Sequence, residues 1–351
     1  FNICACDHSL IRAMPLIDEL NLSSHGLDYL EPEATYVNAF HENSGSWVFY
    51  HDSNQTMDGL SITHPSEVAN YKRYLEDAIP VAKLVIEIAQ SGASMTEFLQ
   101  VASRKRMKGV SKLLRWSKAS AVDVFKDYFD DWHLYMPGIS TGPTVWGAPP
   151  EAPGTGLAAT VYATRHLIAS GRPRRGSGSL PDAILKSYLS NGGQVRLKSI
   201  VEKLQVENKR VKAVQLQDGS VIEAPTVIAA CDPHTVLVNW IDEAPVSAKS
   251  LISRWQKEPA PEGYESKLDG IVQNLPTYKF MSELTGKFDH TDLTQSTVII
   301  SPSPEKLKEA HVLKGQGLIS DQPTMLASIP SALDPEMKAD NGLHTFGLEV
   351  L

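Results

Sequence analysis

The residues with the most chemical content in this chain are small ones. Ala229, Ala230 and Cys231, followed by Asp232-Pro233, close a continuous apolar run that begins at Thr226. A run of that composition predicts a strand covered on both faces, and ligands of open α/β sheets bind beyond the carboxyl ends of such strands. Side chains this small let a large planar or phosphorylated ligand lie against the backbone. Asp232 and Pro233 suit the start of a helix through His234 to Trp240. Cys231 also has a plainer meaning, a small core residue rather than a reactive thiol. Other chemistry finds less support. The eleven histidines form no His-x-x-x-His or His-Glu-x-x-His pair, so no metal is expected. Gly176-Ser177-Gly178-Ser179 lacks the strand that a nucleophile elbow needs, and no catalytic residue is assigned.

The elements that must position this corner precede it. Gly176 and Gly178 suit a tight turn, and Pro181 to Asn191 reads as a helix with Ile184, Leu185, Tyr188 and Leu189 at helical spacing. Asn191-Gly192-Gly193 ends it. Alternation over Val195, Leu197 and Ser199 predicts a strand. Leu204 with Val206, then Val211, Val214 and Leu216, predict a hairpin turning at Glu207 to Arg210, and Asp218-Gly219 marks the next turn. The result is a small antiparallel meander.

Elsewhere, Leu10 to Leu20 reads as a helix, and Tyr36 to Phe40 and Trp47 to Tyr50 as strands joined at Asn43-Ser44-Gly45. Helical sequence starts at Pro65 and carries Tyr71, Tyr74, Leu75 and Ile79 on one stripe. Further helices are predicted at Met95 to Ala102, Lys105 to Trp116 and Ala119 to Asp130. Leu134 to Gly156, rich in Gly and Pro, reads as an irregular crossing. Val298 to Ile300 and Thr324 to Ile329 read as strands with a helix at Pro304 to Ala310 between them, and a last strand begins at His344.

Composition fits a globular enzyme. The chain has 351 residues, 42% hydrophobic and 21% charged, enough for two domains. A net charge of −8 argues against a nucleic-acid partner, which draws on concentrated positive charge. Three cysteines, Cys4, Cys6 and Cys231, give neither a disulfide framework nor zinc spacing, and they point to a reducing compartment, cytoplasm or an organelle matrix. One basic stretch stands out, Arg104 to Trp116, whose Met107, Val110 and Leu114 add apolar surface. Peripheral contact with an anionic membrane is one expectation there; a solvated helix packed on the core by its stripe is the other, and the stronger.

In order along the chain, Gly176-Ser177-Gly178-Ser179-Leu180, Gly192-Gly193-Gln194-Val195, Val201-Glu202-Lys203-Leu204, Asp218-Gly219 and Ala230-Cys231-Asp232-Pro233 resemble the phytoene desaturase-like flavoproteins of the flavin amine oxidase superfamily. Ser320-Asp321-Gln322-Pro323, Ile329-Pro330-Ser331 and Asp334-Pro335 look like that family's second substrate-domain segment. The resemblance implies an α/β fold: a partial FAD/NAD(P)-binding Rossmann-like domain with an antiparallel meander, plus an α+β substrate domain. It implies residues 1–150 as the first substrate segment, 151–242 as the return of the FAD domain, and 243–351 as the second substrate segment. It also implies FAD as cofactor, held on this chain by Val201 at the adenine and by Ala230, Cys231 and Asp232 at the strand end. Outside the resemblance, Val201 is an ordinary buried strand residue.

The implied activity is FAD-dependent dehydrogenation or desaturation of an apolar small molecule. A non-enzymatic binding protein of the same architecture, similar to the Rab GDP-dissociation inhibitors, is the alternative. Three features depart from the family. Its opening Gly-x-Gly-x-x-Gly unit and its closing glycine-rich segment have no counterpart among the 351 residues, and Arg174-Arg175 stand where small residues are expected. The expectation is an internal fragment of a longer flavoprotein, inactive by itself.

Overall fold

The computed structural model describes residues 8–90, 109–241, 244–258, 265–275, 279–288 and 290–351. Cys4, Cys6, the helix expected at Met95 to Ala102 and the basic residues 104–108 lie outside the described residues. In chain order the strands are β1 (Tyr29–Leu30), β2 (Ala34–Phe40), β3 (Trp47–Tyr50), β4 (Arg172–Pro173), β5 (Val201–Glu207), β6 (Arg210–Leu216), β7 (Val221–Glu223), β8 (Ser266–Val272), β9 (Thr297–Ser301), β10 (Met325–Ser328) and β11 (His344–Val350). The chain forms two compact units, residues 1–190 with 264–351, and residues 191–263.

The first unit is built on a mixed six-stranded sheet in the order β3-β2-β9-β10-β11-β8. Only the β2–β9 pair is parallel; the others are antiparallel. Alternation along the strands sorts side chains between two cores, as the pleat requires. Tyr36, Phe40, Trp47, Phe49, Ile299 and Leu326 face a large aromatic cluster carried by helices. Val37, Ala39, Val48, Val298 and Ala327 face a smaller cluster with Met281 and Leu284 of the helix Lys279–Thr285.

Proline decides two helical details. The helix expected over Leu10 to Leu20 is divided into Ser9–Ala13 and Leu16–Glu19, with Pro15 between them as N-cap of the second. Conversely, Leu134 to Ser140, read from its Gly and Pro content as irregular, belongs to a buried helix, Trp132–Ser140. Asp131 caps that helix by accepting the His133 N–H at 3.0 Å. Pro137 has no N–H for the carbonyl four residues back, His133, and the Trp47 indole N–H donates to that carbonyl instead at 3.0 Å. The helix survives its proline because a β3 side chain supplies the missing donor.

The second unit holds the predicted meander, β5-β6-β7. Asn208 and Lys209, with φ of 50° and 66°, make the two-residue turn that matches strand twist, and Gly219 at 81° makes the next. Two expected strands are absent. Residues 193–200 are irregular, with Leu197 80% exposed, and residues 226–230 form no ladder, with Ile228 89% exposed. A strand exists only where a neighbour takes its N–H and C=O groups, and no described strand flanks the 226–230 run.

One buried polar group in the large core lacks support. Asn38 of β2 is 1% exposed and neither amide atom has a hydrogen-bond partner. Removing an unsatisfied buried amide relieves a desolvation penalty of about 1–3 kcal/mol. Asn38→Val is expected to leave stability unchanged or raise it by up to about 2 kcal/mol in denaturant unfolding, and a clear loss would show that the amide is satisfied.

Candidate functional site

The corner residues all lie in the second unit, on different supports. Val201 opens β5, half-buried, opposite Leu216 of β6. Ala230 and Cys231 are exposed on irregular backbone outside any ladder, and the Cys231 thiol is free. Asp232 starts the expected helix: its carboxylate accepts the N–H groups of His234 at 3.0 Å and Thr235 at 2.8 Å. Those donations, led by Thr235, hold its carboxyl below the usual range. The helical turn that follows, Thr235–Asn239, delivers the chain back to β5, where Leu204 N–H donates to Trp240 C=O at 2.7 Å. Strand β5 and the corner are thus parts of one small unit, without a shared strand pairing. Small exposed side chains at 229–231 suit a planar ring laid on backbone.

The glycine turn belongs to the first unit. Arg175 and Gly176 are both left-handed, with φ of 67° and 92°. Such a conformation is costly for a residue with a Cβ, and here a buried carboxylate holds it: Asp334 accepts the Arg175 N–H at 2.6 Å. Asp334 also accepts the Glu336 N–H at 3.0 Å. Arg174 is paired with Asp28 at 2.9 Å. The two arginines therefore change the turn's chemistry while leaving its glycine-like shape, at the expense of strain at Arg175.

A cavity of about 80 Å³ lies on the small-core face of the sheet. Val298, Ala327 and Leu348 form its floor, with Met281, Leu293 and Phe346 around them. Among the described residues, its polar side chains are Thr294, Ser296 and Ser328, and none that lines it is charged. Ser296 is already committed, donating to Ala34 C=O at 2.7 Å. Sequence reasoning missed this cavity because its walls come from strands and turns far apart in the chain.

A half-buried imidazole sits among the aromatics. His166 stacks on Phe49 and meets the Tyr71 hydroxyl through Nε2 and the His51 carbonyl through Nδ1, both at 2.8 Å. A carbonyl only accepts, so Nδ1 carries the proton and Nε2 accepts from Tyr71. Burial drives the imidazole pKa down to about 4, and it raises the Tyr71 phenol well above its ordinary value. The described part of the basic stretch is the helix Val110–Trp116, with Val110, Leu113 and Trp116 buried. Lys112 pairs with Asp77 at 2.6 Å and Arg115 with Asp127. That is the behaviour of a helix packed on the core. Among the described residues, no helix is long and apolar enough to cross a membrane.

Residues 82–308 match the family described as flavin containing amine oxidoreductase. A phytoene desaturase (lycopene-forming) from Pseudescherichia vulneris is 21% identical over 296 residues, which cover 84% of this chain and 55% of the desaturase. Among solved structures, an oxidoreductase from Methanosarcina mazei superposes with a TM-score of 0.57 at 13% identity, over 96% of this chain and 64% of its own. A putrescine oxidase bound to putrescine gives 0.53 at 13%, over 98% and 63%. A Rab GDI from Plasmodium falciparum gives 0.50 at 11%, over 97% and 65%. The three structures bear on the fold, an α/β architecture shared with FAD-binding oxidoreductases. The chain spans little more than half of the desaturase and less than two thirds of each structure.

Two measurements probe this geometry. Arg175→Gly removes the left-handed strain and is expected to raise stability by about 0.5–1 kcal/mol after glycine's own entropy is counted, whereas Arg175→Ala brings no such gain. For His166 the folded pKa lies below the unfolded value, so between about pH 6.5 and 4 the unfolded chain binds a proton that the folded chain refuses. Stability is then full above that window and falls by about 3 kcal/mol or less as pH drops through it. His166→Gln, which retains an acceptor for Tyr71, should flatten that part of the pH–stability curve.

Proposed function

Since the chain belongs to the flavin containing amine oxidoreductase family, we propose that it forms the substrate pocket and the adenine-side edge of an FAD-dependent oxidoreductase that dehydrogenates an apolar small molecule. In this proposal residues 1–150 and 243–351 serve the substrate, and 151–242 return the chain to the cofactor. A reducing compartment, cytoplasm or organelle matrix, is part of the same proposal. FAD, when bound, supplies the acceptor for the hydride taken from substrate carbon. Val201 would support its adenine, Ala230 and Cys231 would meet it at the strand end, and Asp232 would keep that corner's backbone in place through the two N–H groups it caps.

The observation that carries the substrate class is the cavity lining. An ammonium or carboxylate entering a site with no opposite charge would lose its hydration without compensation, at several kcal/mol. A neutral hydrocarbon end loses nothing, and its burial is favourable at roughly 25 cal/mol per Å². The volume, about 80 Å³, is small beside whole-ligand pockets of roughly 300–1,000 Å³, so the cavity takes the end of a chain rather than an entire substrate. The apolar walls exclude water from the reacting C–H bond.

The protein that carries this chain, purified intact, is expected to be yellow with a flavin absorbance band; a colourless preparation that does not take up FAD would overturn the cofactor assignment and favour a binding role. Ala327→Phe fills the cavity floor. With flavin content unchanged, it should lower kcat/KM for an apolar polyene at least tenfold, and unchanged turnover would remove the cavity from the reaction.

A further inference from the structure

Strand β8 is the last strand of the six-stranded sheet, and among the described residues it pairs with β11 alone, over all seven of its residues. Edges of this kind are usually blunted by charge, because an unpaired ladder accepts a strand from another molecule. Blunting works when the charges repel their own copy. The charges of β8 are of both signs, Lys267 and Asp269, two residues apart and therefore on one face. Between them, on the opposite face, Leu268 is 58% exposed.

Antiparallel pairing of β8 with itself about a two-fold axis through Leu268 sets residue 267 of one copy opposite residue 269 of the other. Lys267 then faces the second copy's Asp269, twice, and Leu268 faces Leu268. A shift by one residue loses this matching, so the charges specify a register as well as an orientation. Lys267 and Asp269 already meet each other beside Gly347, where the absence of a Cβ leaves room for both head groups, and Lys267 lies opposite buried Glu349 of β11. The Asp269 side chain remains 44% exposed and able to accept from a second copy. Behind the edge, Phe346 of β11 lies against Gly270, covering the position with no side chain of its own.

We propose that β8 is the seam of a symmetric homodimer, in which two copies of the six-stranded sheet join edge to edge in the register that pairs Lys267 with Asp269. Such a closed two-fold contact uses the same surface on both chains and leaves no free edge at the seam. Five residues of each β8, 266–270, pair about that axis, a small interface, so association is concentration-dependent. Its ion pairs, open to water on the Asp269 side, weaken with salt.

Sedimentation of the intact protein from about 1 to 100 µM at low salt, a range suited to interfaces at the small end of the scale, should show the mass moving from one chain toward two. Asp269→Lys places like charges opposite each other at both crossings and should hold the protein at one chain over that whole range. Leu268→Cys, made with Cys4, Cys6 and Cys231 replaced by Ser, should form a disulfide-linked dimer under mild oxidation, since directly opposed residues lie within disulfide reach. Ile271→Cys in the same background faces residue 265 rather than itself and should cross-link at least tenfold more slowly. A wild-type protein that stays at one chain throughout overturns the proposal, as does a dimer that persists in Asp269→Lys, or cross-linking at 271 as fast as at 268. Should Asp269→Lys fail to fold, the contrast between the two cysteine variants decides alone.

Discussion

Five backbone partners running parallel, from Tyr36 with Thr297 to Phe40 with Ser301, hold the first unit together. They join strands from opposite ends of the chain: the Ser296 hydroxyl that donates to Ala34 C=O beside this ladder acts across 262 residues. Closing so long a loop costs only logarithmically more entropy than closing a short one, so the fold tolerates the distance. What it cannot tolerate is loss of the pairing. Without β9 next to β2, the sheet separates into the β2–β3 hairpin and the β10-centred strands, and neither aromatic nor small-core face is complete. The segment 191–263 is therefore an excursion from a sheet that is closed by residues before and after it.

That constraint also makes the cavity. Its floor brings together Val298 of β9, Ala327 of β10 and Leu348 of β11, which are neighbours only across the ladders. Strand residues that alternate toward the aromatic core are large, Trp47, Phe49 and Phe40, whereas Ala327 on the opposite face is small. A helix-covered face filled by rings and a face with room over an alanine follow from one alternating pattern. Packing at interior density leaves space only where a side chain is short and no neighbour collapses onto it.

Legibility in sequence followed the range of the interaction that makes each feature. The β2–β3 hairpin, the turn at Asn208-Lys209, the Asp218-Gly219 turn and the Asp232 cap are local, and each was readable from residues a few positions apart. The helix Trp132–Ser140 was not, because what rescues Pro137 is an indole from position 47. Strand β8 was not, since its pattern of Lys267, Asp269 and Gly270 makes sense only beside β11. Strain at Arg175 was half legible: the sequence places an arginine at a glycine position, but the compensating carboxylate, Asp334, is distant in the chain. Val201 was expected to end a strand from Val195; instead it opens β5, half-buried, because only from there does β6 supply a partner.

The run 226–230 is the instructive failure. Its composition is that of a strand buried on both faces, yet Ile228 is nearly fully exposed. Apolar side chains in water are unfavourable, and nothing in the meander, whose own ladders end at β7, covers them. Covering gains from the side chains, and it is favourable only if the covering strand also takes the N–H and C=O groups now bonded to water. In the proposed flavoprotein the same covering would complete the surface on which Ala230 and Cys231 meet the cofactor. Ordering of the corner and binding of FAD would then draw on one free-energy source, so flavin affinity and the stability of residues 191–263 would rise and fall together.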